Sequence, residues 1–257
     1  MTTSTLLLAA LSAMGTGLIL GLIGGGGSVL TVPVFVYLLG YPAKQAIAMS
    51  LPIIGCASLV GALGHWRAGH VQWRTALAFG AVAMFGSFIG ARLSTLLDGR
   101  LQLVLLASAM SIASISMLRS AAKGAPADTT PQRSLPLVAL AGVGVGVLTG
   151  LVGVGGGFLI VPSLVVLGGV PMRAAIGTSL AIITMNTLSG FAGYVGRVAF
   201  DWTTMIMFTA IAIVGILIGT RLAPRVPVER LKQGFALFLL AVAGVILFQN
   251  RSVLVGH

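Results

Sequence analysis

The residues in this chain with the most chemistry to offer are glycines. Gly24, Gly25, Gly26 and Gly27 run together ahead of Ser28, and Gly153, Gly155, Gly156 and Gly157 form a second cluster in the other half of the sequence. A glycine run interrupts a helix, because nothing restrains its backbone, and lets another group approach the main chain closely. The helix that follows the break has up to four amide N–H groups with no intrahelical partner, and its N-terminal end carries roughly half a positive charge. Both properties suit an anion. Small residues also serve close helix crossing in membrane bundles, but four glycines in a row, recurring in the other half, exceed what crossing requires. Neither run ends in the GK[ST] of a nucleotide phosphate loop.

A second group of candidates is hydroxylic and amide: Ser50, Thr178, Ser179, Asn186 and Thr187, all inside apolar stretches. Ser and Thr in a spanning helix usually bond their own backbone or a neighbouring helix. Ser50 and Ser179 coincide under the repeat described below, and Pro52 lies where a kink would open space beside Ser50. Asn186 is the costliest of the set to bury unpaired, so it is expected to face a polar cavity. The four acidic residues, Asp98, Asp128, Asp201 and Glu229, fall at segment ends or in loops. No carboxylate is then available at mid-membrane to carry H⁺ or Na⁺, which disfavours a cation pump. His65 and His70 flank Trp66 and Arg67 at a connection, where a histidine is ordinarily solvated and can sense pH. Cys56 is the single cysteine; it excludes an intramolecular disulfide and reads as a small packing residue. No hydrolytic triad or zinc motif is present, so no catalytic residue, metal ligand or cofactor is expected and the chain does not read as an enzyme.

These residues are carried by apolar segments. Of 257 residues, 57% are hydrophobic and 7% charged, with mean hydropathy +1.09, a composition no soluble domain shares. A spanning helix needs roughly 20 apolar residues. Such blocks occur at 5–23, 43–64, 72–95 and 101–118, then at 135–152, 172–194, 202–222 and 231–249. Two further pieces, 28–40 and 157–169, are too short for a straight crossing. The expected fold is an all-α polytopic membrane protein: two tandem repeats of about four transmembrane helices, each with a short or broken helix that begins at glycine.

The repeat has one register. Pro33 and Pro162 differ by 162 − 33 = 129, and so do Pro42 and Pro171, Ser50 and Ser179, Trp73 and Trp202, and Arg92 and Arg221. Residues 1–120 form the first repeat, 121–134 a polar linker and 135–257 the second repeat. Discontinuous helices at a repeat interface are where transporters hold substrate. Basic residues recur at matching connections, and with four crossings per half this favours halves that run parallel. Under that arrangement Lys and Arg divide almost evenly between the two sides, so the orientation stays open. The net charge of +11 is scattered over short connections without an aromatic platform, which points to lipid headgroups and away from nucleic acid. The first block has no basic residue before Lys44 and has a counterpart in the second half, so it reads as a structural helix instead of a signal peptide.

Three motifs together resemble a known family. They are the duplicated glycine-rich segment ending in VP (21–33 and 150–162), the block AAIGTSL at 174–180 with AIAMSL at 46–51, and GSFIGAR at 86–92 with GILIGTR at 215–221. Over nearly the whole chain the pattern resembles the TauE/SafE exporters, also called TSUP permeases. The resemblance implies a multi-pass permease of the bacterial inner membrane that exports a small sulfur-containing anion, sulfite or an organosulfonate. Met49 and Ser28 depart from Thr178 and Gly157 in the matching half, so the halves need not contribute equally. Arg92 and Arg221 match the signature near helix ends and are read as gates or anchors. The expected mechanism holds the anion between the two short-helix N-termini, with help from Ser50, Thr178 and Ser179. The rival reading is a non-transporting membrane subunit that assembles with a partner protein. A homo-oligomer is compatible with either.

Overall fold

The computed structural model describes residues 3–122, 135–166 and 168–250. Residues 123–134 of the expected linker lie outside them. Among the described residues there are ten α-helices and no strand. In the first half these are α1 (Thr3–Ile23), α2 (Ser28–Pro33, continued as a π-helical turn Val34–Leu38), α3 (Ala43–Arg67), α4 (Trp73–Ser94) and α5 (Gly99–Ala122). The second half has α6 (Leu135–Val152), α7 (Gly157–Val166), α8 (Met172–Tyr194), α9 (Trp202–Leu222) and α10 (Val228–Gln249). The starts of α2, α3, α4 and α5 precede those of α7, α8, α9 and α10 by 129 residues each, as 157 − 28 illustrates.

Local sequence accounts for the helix ends. Pro42 and Pro171, in extended conformation, precede α3 and α8, and each supplies the carbonyl for the first bond of its helix, from Ala46 and Ala175. Asp201 caps α9, its carboxylate accepting from the Thr204 amide at 3.1 Å. Pro52 lies inside α3, yet that helix is a single element from Ala43 to Arg67, so the interruption that makes space is confined to the glycine breaks.

By length and composition α3, α4, α8 and α9 each suffice to cross a membrane. α3 and α8 are the central pair, with 72% of their most apolar windows buried, against 44% for α4 and 33% for α9. Outward faces carry exposed Leu11, Phe85, Ile112, Ile206 and Phe248, surface that only lipid or another apolar partner would cover. Trp66, Trp73 and Trp202 are exposed at helix ends, where aromatic residues mark the membrane boundary. Cys56 is exposed on α3, which corrects its reading as a packing residue.

The two halves interlock. α1 crosses α9 and α4 crosses α6 so closely that a Cβ on Gly17 would lie within 2.0 Å of the Ala212 carbonyl oxygen, and one on Gly146 within 2.2 Å of that of Ala83. Gly86 and Gly90 of GSFIGAR meet the α6 backbone at Val143 and Val147; Gly215 and Gly219 of GILIGTR meet α1 at Met14 and Leu18. The glycines of that signature are therefore helix-crossing surfaces.

The halves are inverted relative to one another. At one end, Lys44 Nζ donates to the Thr95 carbonyl, Arg197 to Thr95 Oγ1, Tyr41 to Asp201 at 2.6 Å and Asn250 to Tyr37. At the other end, His65 and His70 gather with Arg173 and Arg221. Lys44 and Arg173, or Arg92 and Arg221, thus occupy opposite ends although each pair matches in sequence. The parallel arrangement expected from sequence is corrected here: α2 returns from the break to the Asp201 end, so each half makes an odd number of passes.

Candidate functional site

The two glycine breaks meet at the centre of the molecule. A Cβ on Gly25 would lie 2.5 Å from the backbone of Gly157, and one on Gly157 2.3 Å from Gly25 Cα, so only hydrogen fits between them. Gly24 and Gly153 are left-handed, with φ of 80° and 75°, and each ends the preceding helix through a bond back to Leu20 or Thr149. The second break goes further, because Gly155 and Gly156 are also left-handed, while Gly27 is right-handed. Gly26 is buried like its neighbours. Leu159 and Ile160 both donate to the Gly156 carbonyl, which places the amides of residues 156–158 ahead of the α7 ladder, at its positive end.

Each break is held by a serine of the opposite half. Ser179 Oγ donates to the Gly24 carbonyl at 2.6 Å, and Ser50 Oγ donates to the Gly153 carbonyl. Each serine also bonds its own helix, at Ile176 or Ile47. Those same isoleucines pack on the breaks: Ile176 lies against Gly24 and Ile47 against Gly153. The sequence pattern linking glycines to the TSL-like blocks is thus a physical contact, repeated in both halves.

The structure brings the glycines, Ser28, Ser50, Ser179, Asn186 and Thr187 together at the crossing and leaves Thr178 and Arg92 elsewhere. Ser28 donates to the Gly25 carbonyl within the first break. Thr187 donates along α8 to Ile183. Asn186 is fully buried beside the second break, its Nδ2 3.6 Å from where a Gly156 Cβ would be, and neither its Nδ2 nor its Oδ1 has a hydrogen-bond partner. Thr178 is also buried, but it accepts from the Gln72 amide in the α3–α4 connection. Its counterpart Met49 packs with Phe35 and Phe208 at the Asp201 end, which explains the departure from symmetry. Arg92 is exposed, 5.1 Å from the Phe88 ring centroid, whereas Arg221 lines a cavity.

That cavity, of about 320 Å³, opens at the His65 end and reaches inward to Leu22 and Ile176, next to the first break. His65, His70, Arg173, Thr220 and Arg221 are among its polar lining, and Leu217, Ala223 and Val226 among its apolar walls. His65 is 8% exposed; its ring bonds the Gly21 backbone and its Nε2 has no partner. The matching place at the Asp201 end is filled by Tyr194, 1% exposed, whose hydroxyl donates to the Gly150 carbonyl at 3.0 Å. Sequence reasoning noted His65, His70 and Arg221 separately. It could not group them, since that requires the ends of α3 and α9 and the start of α8 to share one end.

Comparison with known proteins gives the geometry its context. Residues 9–246 match the family described as sulfite exporter TauE/SafE. A probable membrane transporter protein of Xylella fastidiosa is 33% identical over 93% of this chain and 94% of its own. The probable membrane transporter protein YdhB of Bacillus subtilis is 28% identical over 90% and 95%, and one of Methanocaldococcus jannaschii 24% identical over 81% and 86%. No solved structure matches. With a family match over nearly the whole chain and apolar helices fit to cross a bilayer, this is a multi-pass membrane transporter, and the chain belongs to the sulfite exporter TauE/SafE family.

Proposed function

We propose that the chain is a secondary transporter that exports a small sulfur-containing anion, sulfite or an organosulfonate, bound where the two glycine breaks cross. The observation that carries this reading is Asn186. An amide with both polar atoms buried and unpartnered costs about 1–3 kcal/mol per group, and here it stands beside the positive N-terminal end of α7. Donors from a helix end and a side-chain amide, in a site without carboxylates, favour an anion. The protons of Ser50 and Ser179 are already donated to break carbonyls, so these serines support the site's shape, and the α7 amides with Asn186 form its donor set.

Two tandem repeats of inverted sense supply the machinery. Halves built this way interconvert between states by rocking about a fixed central site, and here one end holds an open cavity while its counterpart is plugged by Tyr194. The bacterial inner membrane is the setting this reading implies. The test is flux into proteoliposomes for sulfite, sulfate, thiosulfate, sulfoacetate, taurine and chloride, with and without a pH gradient. Saturable movement of a sulfur anion that Asn186→Leu abolishes is the expected result. No flux from folded protein would move the weight to a non-transporting partner subunit.

A further inference from the structure

The open cavity at the His65 end offers chemistry that the central site does not need. Two guanidinium groups and two imidazoles come from three helices and a connection: His65 from α3, His70 from the connection after it, Arg173 from α8 and Arg221 from α9. The His65 and His70 rings lie 5.9 Å apart between centroids. Gly177 lets this group assemble, since a Cβ there would sit 2.6 Å from the His70 carbonyl oxygen and 2.9 Å from His65 Cβ. Among the described residues the cavity lining includes no carboxylate beside the arginines. A buried, unpartnered Nε2 on His65 and the apolar wall of Leu22, Ile176 and Leu217 complete the site. Its volume of about 320 Å³ equals roughly ten water molecules, room for a charged head and a short apolar body.

Inversion also orients the site. Among the described residues, by helix position, Arg67, Arg74, Arg119, Arg173, Arg221, Arg225, Arg230 and Lys232 stand at the His65 end, against Lys44, Arg92, Arg100 and Arg197 at the Asp201 end. Eight against four, all in or beside helix ends, places the His65 end in the cytoplasm.

We infer that this cavity is a cytoplasm-facing docking site for small organic anions, with Arg173 and Arg221 holding the charged head and the Leu22–Ile176–Leu217 wall taking the apolar body. The site binds by itself, so its occupancy can be read without transport and independently of the central site proposed above.

The test uses the full chain with Cys56→Ser and Ala68→Cys, since Ala68 is exposed and lines the cavity. A membrane-impermeant maleimide is expected to label it in inside-out vesicles and not in right-side-out vesicles. Ethanesulfonate at ten times its Kd leaves about one site in eleven free and slows labelling about tenfold. Arg173→Gln and Arg221→Gln each weaken that protection by roughly ten- to a hundredfold. Asn186→Leu leaves it intact, so loss of flux in that variant with protection retained separates the two sites. Labelling only from the outside would overturn the orientation. Equal protection by sulfate would overturn the organic assignment, and no protection by any anion would overturn the site. A cysteine unreactive in phosphatidylglycerol vesicles but reactive in phosphatidylcholine would identify a lipid headgroup as the occupant and overturn a soluble one.

Discussion

Replacing Asn186 by leucine separates a structural asparagine from a functional one, because the two roles predict opposite changes in stability. The side chain is completely buried in α8 with neither amide atom partnered. Each such group costs about 1–3 kcal/mol, and an apolar residue of similar size removes that penalty. Allowing for imperfect packing of the branched side chain, the variant should gain about 1–3 kcal/mol. At roughly 2–4 °C per kcal/mol for a chain of this length, its midpoint in detergent should rise by about 2–12 °C. Flux of the transported anion should fall to background. A transported anion at a hundred times its Kd stabilises the wild type by about 2.7 kcal/mol, and the part of that shift owed to the central site should vanish in the variant. A lower melting midpoint for Asn186→Leu would refute the reasoning, since the amide would then be holding the fold together. Undiminished flux would refute it equally, by removing Asn186 from the path.

Three further outcomes follow from particular contacts. Gly25→Ala should abolish flux, because its Cβ at 2.5 Å from Gly157 must move by about 0.9 Å to reach ordinary 3.4 Å contact; overpacking of this kind costs about 1–3 kcal/mol. Gly144→Ala, with nothing within 4 Å in α6, should keep flux and raise stability by about 1 kcal/mol through helix propensity, so similar behaviour of the two variants in the same thermal and flux assays would defeat the argument. Ser50→Ala and Ser179→Ala should each lose about 1–2 kcal/mol, since each leaves a buried break carbonyl without its donor, and thermal unfolding of both variants checks this. Asp201→Asn tests the Asp201 end: hydrogen bonds from Tyr41 and the Thr204 amide hold the Asp201 carboxyl below its usual value. A depressed pKa stabilises the fold above the unfolded value and loses that contribution as pH falls through the folded one. The melting difference between wild type and Asp201→Asn should therefore be full at pH 7 and shrink below about pH 4; a constant difference would show that ionisation contributes nothing.

Much of the fold was legible because hydrocarbon is a demanding solvent. Every backbone group inside it must be satisfied within its own segment, so apolar length alone located the helices, and the short pieces after the glycine runs emerged as α2 and α7. The glycines serve two purposes in the structure. Gly24, Gly25, Gly153, Gly155, Gly156 and Gly157, read as candidate binding elements, shape the central crossing, and those of the signature segments GSFIGAR and GILIGTR bring helices of opposite halves into backbone contact. Composition alone could not separate the two, because both exploit the missing Cβ. Ser50 and Ser179 were singled out by their coincidence under the repeat. Their partners, Gly153 and Gly24, were out of reach, because each bond joins residues more than a hundred positions apart.

The larger gap was the sense of the halves, and it came from how one returning segment is counted. Four crossings per half give parallel halves; counting α2 and α7 as return passes gives inverted ones and changes the grouping of every charged residue. Under the parallel count Arg173 and Arg221 keep company with Lys44 and Arg92, away from the two histidines. Under the inverted arrangement they join His65 and His70 around one cavity. Inversion also sets His65 against Tyr194 as the residues at matching places on the two sides, one bonded to the Gly21 backbone and the other to that of Gly150, themselves 129 apart. On the rocking proposed above, a histidine beside an open cavity and a tyrosine filling the equivalent space would be the two states of one gate, and withdrawal of Tyr194 from Gly150 would open the Asp201 end with the serine-held glycine crossing as the fixed point.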